Sequence, residues 1–282
     1  MNVAIVTDSC SDITQEEARK SGITVVPAWV RFGDRLYRDG VDIEPDEFFR
    51  RMTHGKVHPQ TSAPSPGEFV EAYRRIVRHT REVVSIHVTR HHSVTLGAAM
   101  LAKDIIEKDV KGSHIEVIDS EAVTMWQGLV VYAAKRVAEA GGSLHQVADA
   151  TREATVRIRG LAVLDTLDYA VKGGRLGKIV AVAEKLLGLK PLLTLRNGQI
   201  KPAGFVRKHE NGIDKLHNLI SSASAIVDMA IVHGTLKEEA EELAGYARKV
   251  HPRVIPRVVR LGPAIGAHGG PKTLIAVVNQ AG

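Results

Sequence analysis

Apolar and polar positions in the first half of the chain switch repeatedly between a strand-like and a helix-like period. Short β-rich runs predict strands at Val3–Thr7, Ile23–Val30, Val83–Val88 and Ile115–Ile118. Apolar residues at helical spacing predict the helices Pro66–Arg78, Thr95–Lys108, Trp126–Ala138 and one that Ser143 caps and that ends near Ile158. Strands that alternate with long helices are typical of a mostly parallel sheet with helices on both faces.

The second half of the chain has a different rhythm. Asn197-Gly198 lies between the apolar runs Leu189–Leu195 and Ile200–Val206, which predicts a hairpin. The remaining predicted elements are strands at Leu161–Leu164, Ile226–Val232, Val254–Val259 and Leu274–Val278, and helices near Ile213–Ser221 and Lys237–Val250. We therefore predict an α/β protein of two lobes. The N-terminal α/β lobe, residues 1–158, has a mostly parallel sheet with flanking helices, and the C-terminal α/β lobe, residues 159–282, has antiparallel strands.

Composition narrows the possible partners. The chain has 282 residues, 44% hydrophobic and 25% charged, which favours a globular protein with room for an internal cavity. The net charge of +6 suggests an anionic partner, but the basic residues are scattered and aromatics are only 4%, so we expect no nucleic-acid partner. Because Cys10 is the only cysteine, the chain cannot form an internal disulfide. Strand-like sequence begins at Asn2 and leaves no room for a signal peptide. No apolar run approaches the ~20 residues that a membrane span needs. We expect a cytoplasmic protein without a membrane span.

Standard nucleotide and metal motifs are absent. The segment Gly173–Ile179 contains Gly-Lys but lacks the spacing and the final Ser or Thr of a P-loop, and neither Gly-x-Gly-x-x-Gly nor Gly-x-Ser-x-Gly occurs. Histidines cluster at His87, His91 and His92 and again at His54 and His58, without Asp or Glu at ligand spacing. We therefore expect no metal site and no ATP site in this chain.

Three polar segments stand out, at residues 60–67, 91–97 and 262–271. Ser65 before Pro66 is typical of a helix N-terminus, but this assignment leaves Thr61 and Ser62 without a structural role. Ser93 precedes a predicted helix, where free N–H groups favour either a simple cap or a bound anion. His268 is expected in a turn-rich loop whose glycines allow close backbone approach.

An ordered set of motifs resembles those of DegV proteins. The matching residues are Thr7-Asp8-Ser9, Thr61-Ser62, Pro64-Ser65, Ser93, Thr95, Ile118-Asp119-Ser120, Lys172-Gly173-Gly174-Arg175, Lys190-Pro191 and Gly266-Ala267-His268-Gly269-Gly270-Pro271. The resemblance extends from Val3 to Val278, so that residues 3–280 form one DegV unit.

This resemblance implies a two-lobed α/β fold that holds one long-chain, palmitate-like fatty acid between the lobes, with no other cofactor. It implies a non-catalytic lipid-binding subunit of a bacterial fatty acid kinase, whose separate kinase subunit carries the ATP site and converts the fatty acid to an acyl phosphate for phospholipid synthesis. The carboxylate contacts implied are Thr61, Ser62, Ser93 and Thr95. Arg207 and His268 are implied near the phosphorylated head group.

Two segments depart from the family pattern, and two other functions stay open. Ser93–Leu96 reads Ser-Val-Thr-Leu where the family often has Ser-Gly-Thr-Tyr, which keeps both hydroxyls. His268–Lys272 stands where His-Thr-Gly-Pro-Gly is common, which removes a hydroxyl beside His268 and adds a cation. The alternatives are a stand-alone hydrolase that uses Ser93 with His268, and a phosphosugar-binding protein, because polar loops at the ends of parallel strands suit such ligands.

Overall fold

The computed structural model describes residues 2–55, 57–175 and 188–281. The strands within these ranges are β1 Val3–Asp8, β2 Ile23–Val26, β3 Trp29–Phe32, β4 Arg35–Arg38, β5 Gln60–Ser62, β6 Glu82–His87, β7 His114–Asp119, β8 Ile158–Val163, β9 Lys190–Arg196, β10 Gln199–Val206, β11 Ile226–His233, β12 Arg257–Arg260 and β13 Leu274–Gln280. The helices are α1 Gln15–Ser21, α2 Pro45–His54, α3 Pro66–Ile76, α4 Thr95–Asp109, α5 Thr124–Glu139, α6 Leu144–Arg157, α7 Asp168–Lys172, α8 His209–Ser222, α9 Lys237–Val250 and α10 Pro263–Gly269. A 3-10 turn, Ser9–Ser11, follows β1.

The first sheet is fully parallel, as the sequence predicts. Its order is β2-β1-β6-β7, and every neighbouring pair is parallel. Side chains alternate across it: Val6 on β1 packs with the helices α3 and α4, whereas Ile5 belongs to the core on the side of α5. Because both faces are covered by helices, its two central strands, β1 and β6, are buried almost throughout.

The second sheet has six strands in the order β10-β9-β8-β13-β11-β12. Its pairs are antiparallel except for β11 with β12. On β13, Leu274, Ala276 and Val278 face the core beneath α8 and α9, and Ile275 and Val277 face the core that includes α5. The α/β fold with a parallel N-terminal sheet and a mostly antiparallel C-terminal sheet is therefore confirmed.

The strand predicted at Leu161–Leu164 begins earlier, at Ile158. Two other predicted strands are wrong in extent, and in both cases proline is the reason. The predicted strand Ile23–Val30 is interrupted at Pro27-Ala28, since β2 belongs to the parallel sheet and β3 to a separate antiparallel sheet of order β4-β3-β5. The strand predicted at Val254–Val259 begins only at Arg257, directly after Pro256. Proline has no N–H to donate to a strand ladder, so it ends regular pairing.

Helices α5 and α6 lie between the two large sheets. Helix α5 contacts β1 and β6 of the first sheet and β8, β11 and β13 of the second, and α6 contacts β6, β7 and β13. One buried apolar cluster therefore extends from Ile5 on β1 to Val277 on β13. The division into lobes at residue 158 stays a prediction, although α6 ends at Arg157 and β8 begins at Ile158. The segment Gly173–Ile179, which the sequence predicts is not a P-loop, lies outside the described residues from Leu176 onward.

Candidate functional site

Five of the six site residues predicted from the sequence line one pocket. We call this space, of about 90 Å³, the polar pocket. Its lining consists of Cys10, Ala28, Thr61, Ser62, Ala63, Val88, His92, Ser93, Thr95, Val123, Arg175, Ile200, Ala264, Ile265 and His268. The structure thus brings together the hydroxyls of the segments at 60–67 and 91–97 with the histidine of the segment at 262–271.

The hydroxyl side chains are positioned by two different elements. Thr61 and Ser62 lie on β5, a strand that pattern analysis missed, and β5 pairs with β3 so that Thr61 is opposite Val30. Ser93 and Thr95 lie at the start of α4, where the Ser93 hydroxyl accepts a hydrogen bond from the Thr95 backbone N–H at 3.2 Å and contacts the Thr95 hydroxyl at 2.8 Å. The helix N-cap itself is Val94, which has no capping side chain. Ser93 is therefore one residue before the cap, with its hydroxyl beside the first turn.

His268 lies in the last turn of α10, not in the loop that the sequence predicts. Its Nε2 is 2.9 Å from the Thr61 hydroxyl, across 207 positions of sequence. Burial, followed by the charge of Arg175, lowers the pKa of His268 to about 3, so the ring is neutral at ordinary pH. A Cβ at Gly173 would lie 2.0 Å from His268 Nδ1, so only glycine leaves room for the ring at that position.

Among the described residues, Arg175 is the cation that lines the polar pocket, whereas the predicted Arg207 does not line it. Arg175 lines the pocket, donates to the Gly173 carbonyl at 2.7 Å and reaches the Thr61 carbonyl at 3.5 Å. Arg207 is exposed just after β10 and lines neither this pocket nor the cavity behind it. The sequence already contained a signal for Arg175. The segment Lys172–Arg175 is one of the motifs that resemble those of DegV proteins, but the sequence analysis assigns it no role.

The β9–β10 hairpin brings the second sheet to the edge of the polar pocket. Its turn residues Asn197 and Gly198 both have positive φ, of 49° and 72°, as a two-residue hairpin turn of this hand requires. The Gly198 carbonyl accepts a hydrogen bond from Thr89 at 2.9 Å, and Ile200 N–H donates to His92 Nε2 at 3.2 Å. Burial, then the neighbouring His91, lowers the pKa of His92. His92 is a further pocket residue that the sequence analysis left unassigned.

Two buried carboxyl groups hold the N-terminus of α10. Asp12 accepts a hydrogen bond from Gly262 N–H at 2.9 Å and one from the Thr124 hydroxyl, and Asp39 accepts from Ala264 N–H at 3.3 Å. Burial raises the pKa of Asp12 to about 8 and that of Asp39 to about 7, against the lowering effect of these hydrogen bonds. Because His268 lies in the last turn of the short helix α10, this clamp fixes the ring in the polar pocket.

An apolar space adjoins the polar pocket. We call this space, of about 80 Å³, the apolar cavity; it is lined almost entirely by nonpolar atoms. Its lining consists of Val123, Thr124, Trp126, Ala162, Leu164, Ala170, Arg175, Leu193, Thr194, Leu195, Ile200, Leu261, Ile265, His268, Gly269, Thr273 and Ile275. Val123, Arg175, Ile200, Ile265 and His268 line both spaces. A molecule with a polar head and an apolar tail fits this pair of spaces better than a wholly polar one.

Ser93 and His268 are not arranged as the hydrogen-bonded pair of a serine hydrolase. Within the described residues no hydrogen bond links Ser93 to His268, since the Ser93 hydroxyl contacts Thr95 and His268 Nε2 contacts Thr61. Among the same residues the buried His268 Nδ1 has no hydrogen-bond partner, whereas a triad places an acid there. Burial and the nearby Asp8 raise the pKa of Cys10 well above its usual value, so its thiol is not an activated nucleophile.

In the described ranges no group of three or more His, Cys, Asp or Glu side chains is placed to hold a metal ion. No helix among those described is both long and apolar enough to span a bilayer.

Comparisons with known proteins point to one family. Residues 2–280 match the family described as "Uncharacterised protein, DegV family". A DegV domain-containing protein of Caldanaerobacter subterraneus is 34% identical over 274 residues, 95% of each chain. A solved DegV family protein of Thermus thermophilus, described by its fatty acid binding, is 28% identical with a TM-score of 0.88 and full coverage of both chains. A solved stearic acid-binding protein of Eubacterium ventriosum is 28% identical with a TM-score of 0.90, covering 99% of this chain and 98% of the other. With its fold, its ordered motifs and this match over nearly its whole length, the chain belongs to the DegV family.

Proposed function

We propose that this chain binds one long-chain fatty acid, with the carboxylate in the polar pocket and the hydrocarbon tail in the apolar cavity. The observation that carries the proposal is that a pocket lined by hydroxyl groups adjoins an apolar cavity, the two spaces sharing lining residues at Val123, Arg175 and His268. The solved relatives of Thermus thermophilus and Eubacterium ventriosum, described as binding fatty acid and stearic acid, support the same ligand class.

The two spaces have separate tasks in this proposal. Each buried methylene contributes about 0.8 kcal/mol before the losses on association, so affinity rises with the length of tail that becomes buried. The tail therefore sets the strength of binding. A carboxylate taken out of water needs hydrogen bonds to stay ionised. The hydroxyls of Thr61, Ser62, Ser93 and Thr95 supply donors, and thus set which end of the lipid faces outward.

The polar pocket also suits presentation of the carboxylate to a partner. Ser62 and Arg175 are exposed, so the head-group end is open to solvent. Because the chain carries no P-loop, we propose that a separate kinase subunit supplies ATP. A carboxylate oxygen would attack the γ-phosphorus, forming the acyl phosphate as the bond from that phosphorus to the bridging oxygen of ADP breaks. The carboxylate is already ionised, so no proton is transferred, and Arg175 is placed to neutralise part of the charge that the head group gains.

Neutral His268 has a positioning role in this scheme. Its low pKa excludes a second positive charge beside Arg175, and its hydrogen bond orients the Thr61 hydroxyl. A fatty acid carboxylate would thus meet a fixed Thr61 hydroxyl and the charge of Arg175. It would not depend on a histidine charge that is lost as the pH rises through neutrality.

Native mass spectrometry of the protein purified from a bacterial host tests the binding step. We expect a mass increment of one fatty acid, which lipid extraction then identifies, and a thermal shift of the delipidated protein with fatty acids. Protein that never carries lipid, and that is stabilised by sugar phosphates instead, would refute the proposal. The kinase step is tested by mixing the lipid-loaded chain with ATP and an ATP-binding fatty acid kinase subunit. Hydroxylamine then traps any acyl phosphate as a hydroxamate, which is measured.

A further inference from the structure

A third space lies beyond the apolar cavity. We call it the outer groove; its volume is about 580 Å³. Its lining consists of Ser120, Glu121, Ala122, Trp126, Val130, Thr155, Val156, Ile158, Arg159, Gly160, Thr194, Leu195, Arg196, Asn197, Gly198 and Leu219. Trp126, Thr194 and Leu195 line both the outer groove and the apolar cavity. The two spaces therefore adjoin at these three residues, which we call the wall.

Trp126 is the largest part of this wall. It lies in the first turn of α5 and is 5% exposed, one helical turn after Val123, which lines the polar pocket. Because it shares some lining residues with the polar pocket and others with the outer groove, the apolar cavity has one end towards each of these spaces. Val123 and His268 lie at the end towards the polar pocket, and Trp126 with Leu195 lies at the end towards the outer groove.

Gly160 on β8 sets the position of the Trp126 ring. A Cβ built at Gly160 would lie 2.5 Å from Cε2 and Cζ2 and 2.6 Å from Nε1 of Trp126. These distances are too short for any side chain, so the indole ring rests directly on the backbone of β8. Any larger residue at this position would have to displace the ring.

We propose that Trp126, seated on Gly160, is the end wall that sets the length of the acyl chain accepted. This inference rests on the proposed function, since an end wall matters only when a lipid tail fills the apolar cavity. Behind the wall, Val130, Leu195 and Leu219 provide apolar surface for the end of a longer chain. Removal of the ring joins the cavity to the outer groove, and displacement of the ring by a Cβ at Gly160 shortens the cavity.

The test uses the full chain, delipidated and then offered an equimolar mixture of saturated fatty acids from lauric to behenic acid. Native mass spectrometry reads the distribution of bound chain lengths. We expect Trp126→Ala to move its maximum towards longer chains by about two to four carbons, because an apolar chain fills the space that the ring leaves. Gly160→Ala is expected to move the maximum in the opposite direction.

Matched variants separate this effect from general damage. Tyr246→Ala removes an aromatic ring on α9 that lines none of the three spaces, and Gly245→Ala adds a methyl group where the nearest atom is 3.8 Å away; neither should change the distribution. If Trp126→Ala does not fold, Leu195→Ala opens the same wall from β9 and should favour longer chains in the same way.

The outcomes also distinguish the two proposals. Fatty acid binding by every variant with an unchanged chain-length distribution would overturn the end wall and leave the proposed function intact. A wild-type protein that takes up no fatty acid from the mixture would overturn the proposed function, and the end wall with it.

Discussion

The polar pocket and the apolar cavity are adjacent but are built in different ways. The polar pocket takes its functional groups from β5, the start of α4, the residues after α7 and the end of α10. The apolar cavity takes part of its lining from the second sheet, with Ala162 on β8, Leu193 and Leu195 on β9, Ile200 on β10 and Ile275 on β13. Hydrogen bonds depend on direction, whereas burial of a hydrocarbon tail depends mainly on available space. The pocket should therefore respond to changes in geometry and the cavity to changes in volume.

The largest expected effect comes from filling the cavity. Ala162 is buried on β8, and Ala162→Phe places a ring where about four methylenes of the tail would lie. At about 0.8 kcal/mol each, their loss lowers fatty acid affinity roughly 200-fold. Titration with a fluorescent fatty acid measures it, and Ala203→Phe, at an exposed position of β10, is the matched control. Retention of wild-type affinity by Ala162→Phe would place the tail elsewhere.

A smaller effect is expected from one hydroxyl of the polar pocket. Thr61→Val keeps the side-chain shape but removes the partner of His268 and a donor to the carboxylate. We expect affinity to fall about tenfold, the usual worth of a hydrogen bond to a charged group. The same titration measures it, with Thr53→Val as the control because the Thr53 hydroxyl bonds mainly within α2. An unchanged dissociation constant would contradict the role of Thr61.

The clamp on α10 predicts a pH dependence of stability. The folded pKa of Asp39, about 7, is above its ordinary value of 3.8, so its contribution to stability is full below pH 3.8 and is lost as pH rises to about 7. Asp39→Asn cannot titrate, and so should reduce the fall in unfolding free energy across this window by a few kcal/mol, at about 1.4 kcal/mol for each pKa unit. Urea denaturation of both proteins at a series of pH values measures the difference. Parallel curves would show that Asp39 is already ionised in the folded protein.

The smallest effect distinguishes the two arginines. Arg175 lines the polar pocket but is exposed, so water screens its charge. Arg175→Gln should weaken fatty acid binding about threefold at low salt and less at high salt. Arg207→Gln, at an exposed position outside both spaces, should leave affinity unchanged. A larger effect from the Arg207 variant would reverse the assignment that the structure favours.

Local signals accounted for much of the fold. Asn197-Gly198 predicted the hairpin because its positive φ values suit that turn, and Ser143 predicted the start of α6, where it forms a capping box with Gln146. By contrast, β5 was missed because three polar residues form a strand only when β3 lies beside them. The sequence predicts a loop where helix α10 forms, because its glycines disfavour a helix. The helix forms because Asp12 and Asp39, far away in sequence, accept hydrogen bonds from its first turn.

By itself, the sequence determined the order and type of most elements, the family and the residues that carry hydroxyl and imidazole groups, since periodicity and turn chemistry act over a few residues. Only the tertiary structure decided that Thr61 meets His268, that Arg175 rather than Arg207 enters the pocket, and that Trp126 rests on Gly160 at the end of the cavity. Each of these contacts joins residues far apart in the chain. Their formation depends on how the sheets and the helices between them pack, which no local pattern encodes.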